Sequence, residues 1–140
     1  NACMLSMLPR NTMIADNKQV LIVDDESISR TLLEYLFKSL GYGVTLAKNG
    51  EEAVVFFERE FFPYIVMDFN MPKMNGLSAV KAIRAIEKSK NREPAFILGL
   101  TADETFEQQQ AGLSVGMNVV HTKPVSMDIL QDTLEAAIQR

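Results

Sequence analysis

The sequence predicts an α/β fold in which five parallel strands form one sheet with helices on both faces. Short apolar runs alternate along the chain with longer segments whose apolar residues recur every three or four positions, five of each in strict order. Such alternation is typical of parallel sheets whose strands are linked by right-handed helical crossovers. The length of 140 residues and the lack of an internal linker fit one domain.

The first strand and helix follow from a change of pattern after Lys18. Residues 20–23 are a β-branched and aliphatic run that ends abruptly in acidic residues, as expected of a buried strand that opens into a polar loop. Ile28, Leu32, Leu36 and Leu40 then recur every four residues with Leu33 and Phe37 beside them, and Gly41 follows. We therefore expect a helix with one apolar stripe, closed by Gly41.

The remaining elements follow the same alternation. Further strands are predicted at residues 44–47, 64–67, 95–100 and 117–120, and helices at residues 50–60, 76–89 and 104–113. Pro63 stops the second helix. A last amphipathic helix carries Met127, Leu130, Leu134 and Ile138.

Composition and charge exclude several function classes. A formal net charge of -4 and a pI near 5.0 give no broad basic surface for direct binding of nucleic acid or an anionic membrane. The longest apolar stretches are shorter than the roughly 20 residues that a spanning helix needs. The single Cys3 cannot form an internal disulfide, which favours a reducing compartment, the cytoplasm. Residues 1–17 are predicted to be a flexible tail.

Polar side chains come directly after four of the predicted strands. Asp24 and Asp25 follow the first, Asp68 the third, Thr101 the fourth, and Lys123 lies beyond the fifth. Because the carboxyl ends of parallel strands meet at one edge of a sheet, we expect these five side chains to converge. Clustered carboxylates repel one another unless a cation neutralises them, and oxygen ligands suit Mg²⁺.

This set of residues can perform phosphoryl transfer. A carboxylate oxygen of Asp68, screened by a divalent cation, could attack phosphorus to give an acyl phosphate. Lys123 and Thr101 would hold the phosphoryl oxygens as they gain charge. Taken singly, the acids have an ordinary explanation as helix caps or turn residues, so the hypothesis depends on their coming together.

Beyond the tail, the chain resembles the receiver domains of two-component response regulators. The motifs that carry the resemblance are VLIVDDE at residues 20–26, VMDFNMPKMNG at 66–76, LTA at 100–102 and TKP at 122–124. Their order and spacing match those of the family. The resemblance implies a (βα)5 flavodoxin-like receiver fold for residues 18–140, with Mg²⁺ as cofactor.

The resemblance also assigns roles at the phosphorylation site. Asp68 is implied to be the phospho-acceptor. Asp24 and Asp25 form the acidic metal pair, and the metal site is completed by Asp68 and the backbone carbonyl of Asn70. Asn70 and Asp103 border the path of the hydrolytic water, so they are expected to modulate the lifetime of the phosphoryl group.

The switch residues are implied in the same way, with one departure. Lys123 pairs with the phosphoryl group, Thr101 senses it, and the peptide bond from Lys123 to Pro124 is expected to be cis. The family usually has an aromatic residue three positions before the lysine, where this chain has Val120. Valine has neither the reach nor the ring for the usual rotamer switch, and His121 and Thr122 are neighbouring candidates for an altered relay.

The leading functional hypothesis is a phospho-receiver that is not an enzyme but assists its own phosphorylation and dephosphorylation. Its partners would be a histidine kinase or histidine phosphotransfer protein and a downstream protein target. A scaffold with a silent phospho-site and an aspartyl-nucleophile phosphatase are the alternatives. A dehalogenase-type phosphatase would need a second acid where Asn70 stands, and a flavin carrier would need a phosphate loop after the first strand.

The resemblance extends weakly to one subgroup. Gly116, Met117 and the KPVSMDIL stretch at residues 123–130 are similar to receivers of hybrid sensor kinases. Both a stand-alone regulator and a part of a hybrid kinase stay open on the sequence.

Overall fold

The computed structural model describes residues 17–139. They form one parallel sheet of five strands in the order β2-β1-β3-β4-β5. The strands are β1 Gln19–Val23, β2 Gly43–Ala47, β3 Tyr64–Asp68, β4 Phe96–Thr101 and β5 Val119–Thr122. The predicted fold class is confirmed.

A helix follows each strand. The helices are α1 Ser27–Ser39, α2 Gly50–Arg59, α3 Gly76–Ser89, α4 Phe106–Val115 and α5 Met127–Gln139. None of the helices within residues 17–139 is long and apolar enough to cross a bilayer. The predicted tail covers residues 1–17. Residues 1–16, which include Cys3, lie outside the described residues.

Two apolar cores lie on opposite faces of the sheet. One joins alternate strand residues to α2 and α3, and its largest members include Phe57, Ile65 and Ile83. The other joins the intervening strand residues to α1 and α5, with Phe37 and Leu130 buried in it. Strands β3 and β4 are buried along their whole length. Their sequences are therefore largely continuous apolar runs rather than alternating apolar and polar residues.

The predicted apolar stripe of α1 is only partly correct. Leu36 is buried, but Ile28 is 80% exposed and Leu32 is 47% exposed. The residues that join Leu36 in the core are Leu33 and Phe37. The helix thus has two apolar faces, one against the sheet and one toward solvent, which the prediction had joined in a single stripe.

The last strand and the helix before it begin later than predicted. Strand β5 is Val119–Thr122 rather than residues 117–120, and α4 begins at Phe106 rather than residue 104. Met117 still belongs to the helix end, because its N–H donates to the carbonyl of Gly112 while Gly116 takes a left-handed conformation with φ 116°. At the other end, the Thr105 hydroxyl caps α4 by accepting from the N–H of Gln108.

Candidate functional site

The strand order brings the predicted acids to one crevice. Strands β1 and β3 are neighbours, but the chain leaves β1 for α1 on one face and leaves β3 for α3 on the other. Loops that part in this way open a crevice at the carboxyl ends of the strands. Within the described residues, Asp24, Asp25 and Asp68 present carboxylate oxygens that all lie within 4.8 Å of one another.

Lys123 bridges two of these acids. Its Nζ lies 3.0 Å from Oδ2 of Asp24 and 3.2 Å from Oδ1 of Asp68. The Lys123 N–H donates to the carbonyl of Thr101, and the following bond to Pro124 is cis, as predicted. Burial alone would lower the pKa of Lys123, but hydrogen bonds and charge from Asp24 and Asp68 outweigh it, so that the pKa is raised.

Asp24 is fully buried, and both its carboxylate oxygens have donors. Oδ1 accepts from the N–H of Glu26 at 2.9 Å. Oδ2 accepts from the Ser29 hydroxyl at 2.6 Å and from Lys123 at 3.0 Å. A buried carboxylate is tolerated only when it is paired and hydrogen-bonded in this way. Asp25, in contrast, is exposed and faces the mouth of the crevice.

Asp68 is buried with fewer donors. It is 5% exposed, and the Asn70 N–H is 3.4 Å from its Oδ1. Burial raises the pKa of Asp68 to about 6; Lys123 opposes the shift, and Asp24 adds to it. At neutral pH most molecules therefore carry an ionised Asp68, which is the nucleophilic form, but that charge is poorly stabilised by protein alone.

The loop after Asp68 is held against the first turn of α3. The Gly76 N–H donates to the carbonyl of Phe69, and a Cβ at position 76 would lie 2.1 Å from the carbonyl oxygen of Asp68. Only glycine permits this close approach. The glycine of the NG pair therefore fixes the backbone of the candidate nucleophile, and the Asn75 side chain caps α3 by accepting from the N–H of Ser78.

Thr101 lies at the end of β4, next to the strand that carries Asp68. Its hydroxyl oxygen accepts from the N–H of Asp103 at 3.1 Å, and the residue is 1% exposed. Asp103 and Asn70 are both exposed. These positions agree with roles in sensing and modulation, which stay predictions.

Val120 is buried, and the space around it is filled by other side chains. A Cβ on Gly112 of α4 would lie 2.7 Å from Cζ of Phe69 and 2.8 Å from Cγ2 of Val120. The ring of Phe69, the residue after Asp68, thus reaches the interface of α4 with β5. His121 faces the other side of the sheet, where its Nε2 is 2.9 Å from the Thr133 hydroxyl of α5.

The donor set fits Mg²⁺. All side chains that could reach a cation in the crevice offer carboxylate oxygens, the hard ligands that Mg²⁺ takes, and no histidine belongs to the cluster within the described residues. Three acids against one nearby ammonium leave a negative charge for a divalent ion to neutralise.

Sequence reasoning missed two residues that touch the site. Ser29 donates to the Asp24 carboxylate, and an Arg30 Nη1 donates to the Asp24 carbonyl at 2.8 Å. Both lie in the first turns of α1, which folds back over β1. The sequence signal for both residues was their spacing from Asp24. A hydroxyl or guanidinium group about one helical turn past the end of a strand can reach the residue that follows that strand.

A family comparison agrees with this geometry. The model of the response regulator receiver domain matches residues 20–135. The chain belongs to the response regulator receiver domain family.

Curated receiver-containing relatives include hybrid kinases. The chain is 36% identical over 122 residues to "Hybrid signal transduction histidine kinase B" of Dictyostelium discoideum, covering 81% of this chain and 6% of that protein. It is 32% identical over 138 residues to the sensor histidine kinase RcsC of Salmonella typhimurium, covering 96% of this chain and 14% of that protein. The chain therefore spans only a small part of these relatives.

Solved receiver domains have the same fold. A receiver of a sensor histidine kinase from Pseudomonas aeruginosa PAO1, described with magnesium coordinated in its active site cleft, has a TM-score of 0.78 at 34% identity, covering 89% of this chain and 99% of that one. The receiver of Saccharomyces cerevisiae Ssk1, crystallised with the histidine phosphotransfer protein Ypd1, has a TM-score of 0.78 at 32% identity, covering 83% and 85%.

Proposed function

We propose that this receiver domain accepts a phosphoryl group on Asp68 from the phosphohistidine of a partner protein in the cytoplasm. The observation that carries the proposal is the crevice in which Lys123 contacts both Asp24 and Asp68 while Asp25 stands at its mouth. Phosphorylation would then bias a surface that a downstream protein reads. The output of the domain is binding, not turnover.

The side chains of the crevice supply the parts of the reaction. An ionised Asp68 oxygen attacks phosphorus as the bond to the partner's imidazole nitrogen breaks; the ring's other nitrogen carries a proton, so the products are an acyl phosphate on Asp68 and a neutral imidazole. Lys123, already 3.2 Å from that carboxylate, neutralises charge on the transferred oxygens. Thr101, on the neighbouring strand, donates a hydrogen bond from its hydroxyl to the phosphoryl oxygens of the product.

Mg²⁺ would be held by Asp24, Asp25, Asp68 and the backbone carbonyl of Asn70. When bound, it neutralises negative charge on the acids and on the phosphoryl oxygens. Burial, the main cause of the raised pKa of Asp68, disfavours the anion, so a bound cation would favour the ionised form. Asn70 and Asp103 are exposed. Because the family resemblance implies that these positions border the path of the hydrolytic water, we propose that they set the rate of dephosphorylation.

An apolar groove beside Lys123 supports a protein donor rather than a small molecule alone. A cavity of about 270 Å³ lies between α1 and the β5–α5 loop, where Ile28, Leu32 and Val125 meet Lys123 and Pro124. Tyr35 extends the exposed apolar face of α1 and is 66% exposed. An unpartnered apolar face next to the reacting group fits the surface of a histidine kinase or histidine phosphotransfer protein.

The chemistry is tested by incubating the protein with Mg²⁺ and acetyl phosphate and following its intact mass. We expect a single phosphoryl addition that needs Mg²⁺ and disappears in Asp68→Asn. Continuous turnover of the donor would favour the phosphatase alternative. No addition at all would favour a silent scaffold and contradict the proposal.

The donor surface is tested separately with a phosphorylated histidine phosphotransfer protein. We expect Ile28→Asp or Leu32→Asp to slow transfer from that protein by on the order of tenfold or more, as loss of an interface contact does, while phosphorylation by acetyl phosphate is unchanged. Val55→Asp is the matched control, because Val55 is 48% exposed on α2, away from the groove. Equal slowing in all three variants would contradict docking on α1.

A further inference from the structure

We infer that Ser29 is a positioning residue for phosphoryl transfer, which holds the Asp24 carboxylate in place while Lys123 moves to the phosphoryl group. The inference deepens the proposed function and rests on it. It starts from an accounting of the hydrogen bonds of Asp24, the fully buried acid of the crevice.

Every polar group of Asp24 is used. Its N–H donates to the carbonyl of Ala47 at 3.1 Å, and its carbonyl accepts from Arg30. Carboxylate oxygen Oδ1 accepts from Glu26, whereas Oδ2 accepts from both Ser29 and Lys123. Ser29 is thus the only described side chain, other than Lys123, with a recorded hydrogen bond to the Asp24 carboxylate.

Lys123 cannot serve Asp24 and the phosphoryl group equally well. Its ammonium contacts both Oδ2 of Asp24 and Oδ1 of Asp68, so a phosphoryl group formed on Asp68 would draw Lys123 toward the new oxygens and away from Asp24. Without another donor, departure of Lys123 would leave a buried anionic oxygen unpaired, which costs more than loss of an exposed bond. The Ser29 hydroxyl, at 2.6 Å, remains on that oxygen.

Ser29 also fixes the orientation of a carboxylate that faces the cation. Hydrogen bonds to the acids of a metal site orient them, and loss of such a partner commonly weakens metal binding or activity by 10–100-fold. The Ser29 hydroxyl and the Glu26 N–H hold opposite oxygens of Asp24, so together they define the plane of the carboxylate. Removal of the hydroxyl leaves that plane free to follow Lys123.

The test compares Ser29→Ala, Ser29→Thr and wild type, with Ser27→Ala as the matched control. Ser27 is an exposed serine in the first turn of the same helix. Mg²⁺ affinity is measured by calorimetry, phosphorylation rate with acetyl phosphate at saturating Mg²⁺, and folding by thermal unfolding. We expect Ser29→Ala to lower both affinity and rate by on the order of tenfold, and Ser29→Thr to restore them, while Ser27→Ala behaves as wild type.

Each other outcome is decisive. Wild-type affinity and rate in Ser29→Ala would overturn the inference, as would losses that Thr does not restore or that Ser27→Ala shares, because those indicate a merely structural effect. If wild type binds Mg²⁺ but is not phosphorylated, the proposed function fails while the calorimetric comparison still decides the role of Ser29. If wild type does not bind Mg²⁺, both fail.

Discussion

Helices α3 and α4 pack beside each other on the same face of the sheet, yet they are held very differently. Helix α3, which follows the candidate phospho-acceptor, buries six residues. Helix α4, which follows Thr101, buries only Gly112 among its described residues. Packing therefore holds α3 as a fixed frame, whereas little packing energy holds α4.

The C-terminal half of α3 is tied to the sheet by a polar cluster around the buried Glu87. The Arg84 guanidinium donates to the carbonyls of Gly116 and Ala95, to Asn118 Oδ1, and to the Glu87 carboxylate. Glu87 is 5% exposed and also accepts from the Ala95 N–H at 2.7 Å. These bonds join α3 to the start of β4, to the end of α4 at Gly116 and to the start of β5, away from the phosphorylation site.

Among the bonds of the described residues, helix α4 is tied to α3 at its C-terminal end, where the Gly116 carbonyl accepts from Arg84, and the body of the helix has no such anchor. Phe106 at its start is 72% exposed and Leu113 is 44% exposed, and only Gly112 lies close against the Phe69 ring and Val120. Elements with few buried apolar contacts open and shift at low cost in free energy. A change at Asp68 and Thr101 is therefore expected to shift the first turns of α4 more easily than α3.

Removal of the α3 anchor should have the largest effect. We expect Glu87→Ala to lower the free energy of unfolding by about 3 kcal/mol, because it removes the ion-pair partner of the partly buried Arg84 and leaves the buried N–H of Ala95 unpaired. Chemical denaturation measures this. Glu107→Ala, on the exposed first turn of α4, is the control and should stay within about 0.5 kcal/mol of wild type. Similar losses in both would remove the contrast between the helices.

A side chain added at Gly112, the buried residue of α4, should have a smaller effect. Alanine normally favours a helix over glycine, but a Cβ on Gly112 would overlap Phe69 and Val120. We expect Gly112→Ala to lower the free energy of unfolding by about 1–2 kcal/mol, as overpacking does. Phe69→Leu in the same chain should recover part of the loss. Stabilisation by Gly112→Ala alone would show that α4 is not held against that ring.

The smallest expected effect concerns pH and the other face of β5. Burial lowers the pKa of His121, so the folded state resists a proton that the unfolded chain takes up. The stabilisation is present above the unfolded pKa of about 6.5 and is lost as the pH falls through the lower folded pKa. The unfolding temperature of His121→Gln should therefore fall less between pH 7 and pH 5 than that of wild type. An unchanged slope would contradict this role for His121.

Much of the fold could be predicted because strong local patterns agreed with tertiary packing. The continuous apolar runs of β3 and β4 mark strands buried on both faces, and acids placed just past strand ends indicated the crevice. The cis peptide at Pro124 followed from the family resemblance. In each case the decisive information lies within a few residues along the chain.

The rest depended on how neighbouring elements pack against one another. Whether Ile28 or Leu33 faces the sheet depends on how α1 is rotated, and both satisfy a helical period. The start of β5 was misplaced because Met117 is apolar but is tied to the end of α4 by its N–H. The donation from Ser29 to Asp24 requires α1 to fold over the end of β1, which its local sequence does not specify.

The most direct test of the coupling between the pocket and α4 is amide hydrogen exchange with and without Mg²⁺ and beryllofluoride, a mimic of the phosphoryl group on Asp68. We expect exchange to change in residues 101–115, from Thr101 through α4, while the Arg84 half of α3 keeps its protection. Altered exchange in that half of α3, with α4 unaffected, would contradict the division of the molecule into a fixed frame and a responsive helix.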